Sequence, residues 1–159
     1  MKKKFQILFL FLFVGCSLCM AKKISVVYPR VEMQENPLGI DLKNPHFSWQ
    51  LASDVKDVKQ IGYEIQLAAD LRDLKRGDNL IWKSGLVQSD KMQIEYEGLP
   101  MQSCEEYYWR VRVQTNHGMS SWSAIQRFST GMLHAEDWHA EWIGENAMSN
   151  SGELQTELH

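Results

Sequence analysis

The sequence predicts an all-β protein, and three observations carry that expectation. In Tyr107-Tyr108-Trp109-Arg110-Val111-Arg112-Val113, the residues Tyr107, Trp109, Val111 and Val113 share one face of an extended strand, and Tyr108, Arg110 and Arg112 share the other. The same period of two recurs in Phe47-Ser48-Trp49-Gln50-Leu51 and in Tyr63-Glu64-Ile65-Gln66-Leu67, with Gly, Pro and Asn turn signals between such runs. No β-α-β alternation and no internal repeat is visible, which argues against a doubly wound enzyme fold and against a solenoid.

Each element follows from local chemistry. Ile24-Ser25-Val26-Val27-Tyr28 is short and β-branched, and Pro29, which has no N–H to donate, is expected to close it as an edge strand. Asn36-Pro37-Leu38-Gly39-Ile40-Asp41 and Asn44-Pro45 are breaks framing the next strand, Phe47 to Leu51, with Trp49 in the core. The third strand is placed from about Gly62 to Ala68, with Tyr63, Ile65 and Leu67 inward and Glu64 and Gln66 facing water. Asp70 suits the cap of a brief helical turn ending near Arg76. A short strand, Leu80-Ile81-Trp82, leads into the turn at Ser84-Gly85, and Met92 to Tyr96 alternates again with Ile94 and Tyr96 inward. Gly98-Leu99-Pro100 then connects to the Tyr107 strand. A tyrosine at a strand's start can bury its ring and hold nearby backbone with its hydroxyl, so Tyr107 is the candidate tyrosine corner. Asn116-His117-Gly118 turns the chain back through Trp122 to a last strand ending near Ser129-Thr130. About seven such strands predict an immunoglobulin-like or fibronectin type III β-sandwich over residues 22–131.

The two ends of the chain have a different character. Residues 1–21 read as an export signal, because Lys2-Lys3-Lys4 precede an apolar run from Ile7 to Val14 that is too short to span a bilayer. Cleavage after Ala21 is one ending. The other is a lipoprotein-like box, Phe13-Val14-Gly15-Cys16, in which Cys16 is lipidated and becomes the first residue. Both endings imply export to the periplasm, outer membrane or extracellular space, with membrane contact only through such a lipid anchor. Residues 132–144 read as a linker and the start of a truncated next domain. Residues 145–159 carry few large apolar groups and are expected to be a disordered tail.

Composition narrows the chemistry further. The formal net charge is −3; without Lys2, Lys3 and Lys4 the balance is 14 basic to 20 acidic residues, net −6, so nothing electrostatic favours nucleic acid. Cys16 and Cys19 lie in the signal, which leaves Cys104 alone, without a disulfide framework and expected as a partly buried thiol at a strand start. His134 and His139, with Glu136 and Asp137 between them, match no zinc spacing. Glu105 and Glu106 point to opposite faces of a strand and cannot flank one bond. No catalytic, cofactor-binding or metal residue is assigned. Trp49 and Trp109 belong to the core, and Trp122 is expected to take a cation–π contact from Arg110 and Arg112. Trp82, Trp138 and Trp142 are candidates for a sugar-stacking platform or for interdomain contact, with packing of Trp138 and Trp142 against a next domain favoured.

Several blocks in order strongly resemble bacterial α-L-rhamnosidases of glycoside hydrolase family 78. They are Asn36 to Asp41, Asn44-Pro45-His46-Phe47-Ser48-Trp49, Gln60 to Ala68, Trp82-Lys83-Ser84-Gly85, Tyr107 to Val113, and Asp137-Trp138-His139-Ala140-Glu141-Trp142-Ile143-Gly144. The resemblance implies a multidomain secreted glycosidase with an N-terminal fibronectin-like sandwich, further β-sandwiches and an α/α barrel. The barrel's carboxylates would hydrolyse terminal α-L-rhamnosyl bonds with inversion. No position here matches those catalytic motifs, so none is carried over. The family sequence would continue beyond Gly144 into another sandwich, so a truncated product, a shifted frame or a fragment is expected. The expected role is a non-catalytic spacer or docking module. Its partners would be the neighbouring domains of a longer glycosidase and plant or bacterial rhamnose-containing glycans. The alternative is a stand-alone carbohydrate-binding or adhesion module.

Overall fold

Strand β6, Glu106–Thr115, organises the molecule, pairing with three other strands and burying every second side chain. The computed structural model describes residues 24–137; Cys16, Trp138, His139 and Trp142, with the remainder of the expected signal and tail, lie outside them. One sheet holds β1 (Ile24–Val31), β2 (His46–Ser53) and β5 (Gln93–Glu95), in the order β1-β2-β5. The other runs from β4 (Trp82–Lys83) through β3 (Gln60–Ala68) to β6, whose far edge is taken by β7 (Gly118–Met119) and β8 (Gln126–Ser129). All pairings within these sheets are antiparallel. The short helix α1, Leu71–Arg76, follows β3. Asp70 caps it by accepting the Arg72 N–H, and Gly77 ends it in the left-handed region at φ +78°. With β7 and β8 as two parts of one edge, this is the expected seven-strand sandwich.

Between the sheets the apolar faces meet as predicted. Phe47, Trp109 and Phe128 are fully buried, with the Phe47 ring edge-on to Trp109 at 4.6 Å and to Phe128 at 5.9 Å. Trp49, Ile65, Leu67, Val111 and Val113 complete the same cluster, and Trp82 and Ile94 pack against it from the margin. Tyr107 is the tyrosine corner: its hydroxyl accepts the Gln102 N–H at 2.8 Å. Tyr96, also buried, donates to the Leu99 carbonyl at 2.8 Å. Gly98 makes room for that ring, since a Cβ there would lie 2.4 Å from Tyr96 Cζ.

Three expectations need correction. β1 does not end at Pro29 but continues to Val31, because Tyr28 and Pro29 together face one residue of β2 in a bulge that removes the need for a proline N–H. Cys104 is exposed in a turn at φ +58°, ahead of the strand, and is not a partly buried thiol at its start. Glu64 and Gln66 do not face water; they are only 5% and 7% exposed, for a reason given below.

Candidate functional site

On the outer face of β3 and β6 the sequence places Glu64 opposite Arg112 and Gln66 opposite Arg110. Cross-strand neighbours on one face lie close enough for long side chains to pair. The Arg112 Nε donates to Glu64 at 2.8 Å, while Arg110 donates from Nε and Nη2 to Gln66 Oε1 at 3.0 and 2.7 Å. Lys83 Nζ lies 3.7 Å from the same Glu64 carboxylate. Both guanidinium groups lie over the half-buried Trp122 ring, 4.6 Å from its centroid for Arg110 and 4.5 Å for Arg112, which realises the expected cation–π contact. Burial, and then the charge of neighbouring Arg112, pull the Arg110 pKa below its ordinary value, while Glu64 opposes them.

The segment between β7 and β8 explains how Trp122 reaches this face. Ser120 and Ser123 each donate a backbone N–H to β6, at Val113 and Val111, and their hydroxyls accept the N–H of those same residues at 3.0 and 3.1 Å. Each hydroxyl then donates to the carbonyl of the following residue, Ser121 or Ala124. Serine side chains therefore replace two ladder bonds. Three residues of the edge span two of β6, which turns Trp122 onto the arginines. The alternation in the sequence shows Arg110 and Arg112 outward. Only the Ser-Ser-Trp-Ser run hints at what covers them.

At one end of the sandwich the chain leaves through a held segment. Gly131 donates to the Ile40 carbonyl at 2.9 Å on one side, and its own carbonyl accepts the Cys104 N–H at 2.9 Å on the other. The Thr130 hydroxyl accepts the Glu105 N–H and donates to the Gln102 carbonyl, while Ser103 Oγ accepts the Leu133 N–H at 2.8 Å and donates to Asp137. A Cβ on Gly131 would meet the Asp41 carboxylate at 2.4 Å. Leu133, itself part of this strap, is buried, and the strap ends in the short 3₁₀ turn Ala135–Asp137. Leu38, Leu99 and Met132 remain exposed in the loops and strap at this end.

Among the sequence-predicted candidates, Trp82 is half-buried with its ring 5.0 Å from Tyr96 and 6.1 Å from Phe47. Trp138, Trp142 and Cys16 lie outside the described residues. Among the described residues no cluster of His, Cys, Asp or Glu is arranged to hold a metal, and no helix is long and apolar enough to cross a membrane. The partners missed by sequence reasoning are Glu64 and Gln66, whose burial depends on side chains roughly 45 positions away.

Two antiparallel sheets closed by a tyrosine corner, with a secured exit at one end, define an immunoglobulin-like β-sandwich module. More particularly, the chain belongs to the Rha78A-like N-terminal immunoglobulin domain family, whose model matches residues 26–134. An α-L-rhamnosidase from Streptomyces avermitilis is 35% identical over 126 residues, covering 78% of this chain and 12% of that protein. The solved α-L-rhamnosidase from Dictyoglumus thermophilum superposes with a TM-score of 0.74 at 34% identity, covering 77% of this chain and 14% of its own. The Streptomyces avermitilis enzyme complexed with L-rhamnose gives 0.72 at 36%, covering 78% and 12%. The chain thus spans about an eighth of the length of these relatives and matches their N-terminal domain.

Proposed function

We propose that this sandwich is the non-catalytic N-terminal support of an exported α-L-rhamnosidase of glycoside hydrolase family 78. Hydrolysis of terminal α-L-rhamnosyl bonds in plant or bacterial glycans then belongs to other domains of the longer protein. The secured exit carries this reading. Hydrogen bonds on both sides of Gly131, and the Ser103 contacts to Leu133 and Asp137, hold the chain against the sandwich as far as Asp137. A support that sets the position of a following domain needs such a strap, whereas a free tether does not. Trp138 and Trp142 are then interdomain contacts. The signal over residues 1–21, with Cys16 as a candidate lipid acceptor, delivers the protein across the membrane.

The purified chain is expected to release no product from an aryl α-L-rhamnoside, and measurable turnover would overturn the non-catalytic assignment. Gly131→Ala should speed hydrogen exchange at the Leu133 amide while leaving the β6 amides slow. Unchanged exchange at Leu133 would contradict the role given to the strap.

A further inference from the structure

The outer face of the β1-β2-β5 sheet holds an unexplained combination of strain, an unpaired donor and an exposed aromatic ring. Val27 pairs with Gln50 and Arg30 with Ser48, so Tyr28 and Pro29 share the single partner Trp49. In this bulge Tyr28 takes φ +50°, a left-handed position that suits glycine and strains an L-residue, yet its side chain is 56% exposed. Core packing therefore does not account for a tyrosine here. Strain of this kind concentrates where a side chain must be aimed.

The Arg30 guanidinium lies 5.8 Å from the centre of the Tyr28 ring. Its Nε is buried and has no hydrogen-bond acceptor among the described residues, a costly state for a charged donor. Tyr28, Arg30, Ser48, Gln50 and Gln93 line a hollow of about 310 Å³, flanked by the thioethers of Met33 and Met92. Glu35, 3.7 Å from Arg30 Nη2, offsets the one charge in that lining.

We infer that this hollow binds a neutral pyranoside. A sugar hydroxyl both donates and accepts, as do the Gln50 and Gln93 amides and the Ser48 hydroxyl. It also supplies acceptors for the outer Nη groups of Arg30, whose side chain is 36% exposed. The exposed Tyr28 ring suits the C–H face of a pyranose, and the space is that of a small ligand site. With Arg30 offset by Glu35, an anionic ligand gains no special attraction. The site stands apart from the exit strap and does not depend on the support role.

The test is titration of the ¹⁵N-labelled full chain with methyl α-L-rhamnopyranoside, methyl β-D-glucopyranoside and methyl β-D-galactopyranoside. Saturable amide shifts are expected for at least one of them at Tyr28, Arg30, Ser48, Gln50 and Gln93. Joint Gln50→Ala and Gln93→Ala replacement, at two exposed positions, should weaken binding about tenfold or more. Tyr28→Gly keeps the bulge geometry and should abolish the shifts. No saturable response to any of the three sugars, or a response that survives these substitutions, would overturn the assignment. So would a face that answers only to an added protein domain, since it would then be a docking surface.

Discussion

The two faces of β6 hold the same strand in place by different physics. On the inner face Tyr107, Trp109, Val111 and Val113 meet Phe47, Ile65 and Phe128, and the stabilisation is apolar area removed from water. On the outer face Arg110 and Arg112 are held by Gln66 and Glu64 and covered by Trp122, so hydrogen bonds and ring contacts do what a second apolar layer would do. The outer layer excludes water from Glu64 and Gln66 without presenting a sticky surface. The difference teaches that an alternating strand with polar outward residues need not have a solvated outer face. Here the cover comes from an edge strand interrupted by serines.

The comparison is broken most severely from inside. Trp109→Ala leaves a large cavity between the sheets and is expected to cost about 3–5 kcal/mol, read as a fall in the urea midpoint. Next comes Arg112→Ala, which leaves the buried Glu64 carboxylate with only the more distant Lys83. It should cost about 2 kcal/mol after allowance for the partial exposure of Arg112, and Glu64→Leu in the same chain should recover part of that loss. Trp122→Ala uncovers both guanidinium groups and should cost about 1–2 kcal/mol. Equality of the Trp122 and Trp109 losses would mean that the outer layer is not the weaker of the two. Tyr107→Phe removes one hydrogen bond at the corner and should cost about 1 kcal/mol while leaving both layers intact.

A further effect is confined to alkaline pH. Burial, with a lesser contribution from nearby Tyr107, pushes the Tyr96 hydroxyl up to about 12 from 10.0. Below pH 10 the group is neutral in folded and unfolded chains and its contribution is fully present. As pH rises from 10 towards about 12, only the unfolded chain ionises, so stability falls until the folded pKa is passed. Urea midpoints measured across that window should fall less steeply for Tyr96→Phe than for the wild type. Identical slopes would remove Tyr96 from this account.

The strands of the inner face were legible because apolar residues at every second position leave one arrangement that buries them all. Trp49, Trp109 and Tyr107 sit where that rule puts them, and Trp122 meets the arginines as their outward placement required. Alternation assigns a side, however, and says nothing about what lies above it, so it places Glu64 and Gln66 in water. Pro29 does not declare its place, because a proline that ends a strand and one that sits in a bulge look alike in sequence; only the partner strand distinguishes them. The hollow beside Tyr28 was hidden for a related reason. Its lining comes from three strands whose register no local pattern reveals.

The most direct measurement is hydrogen exchange at Val111 and Val113, whose amides donate to the Ser123 and Ser120 hydroxyls. If the serine edge and its Trp122 cover form a sealed part of the fold, both amides exchange only through global unfolding in the wild type and faster in Trp122→Ala. Exchange of these two amides in the wild type at the rate of an exposed loop residue such as Lys56 would contradict the outer layer as a structural partner of the core.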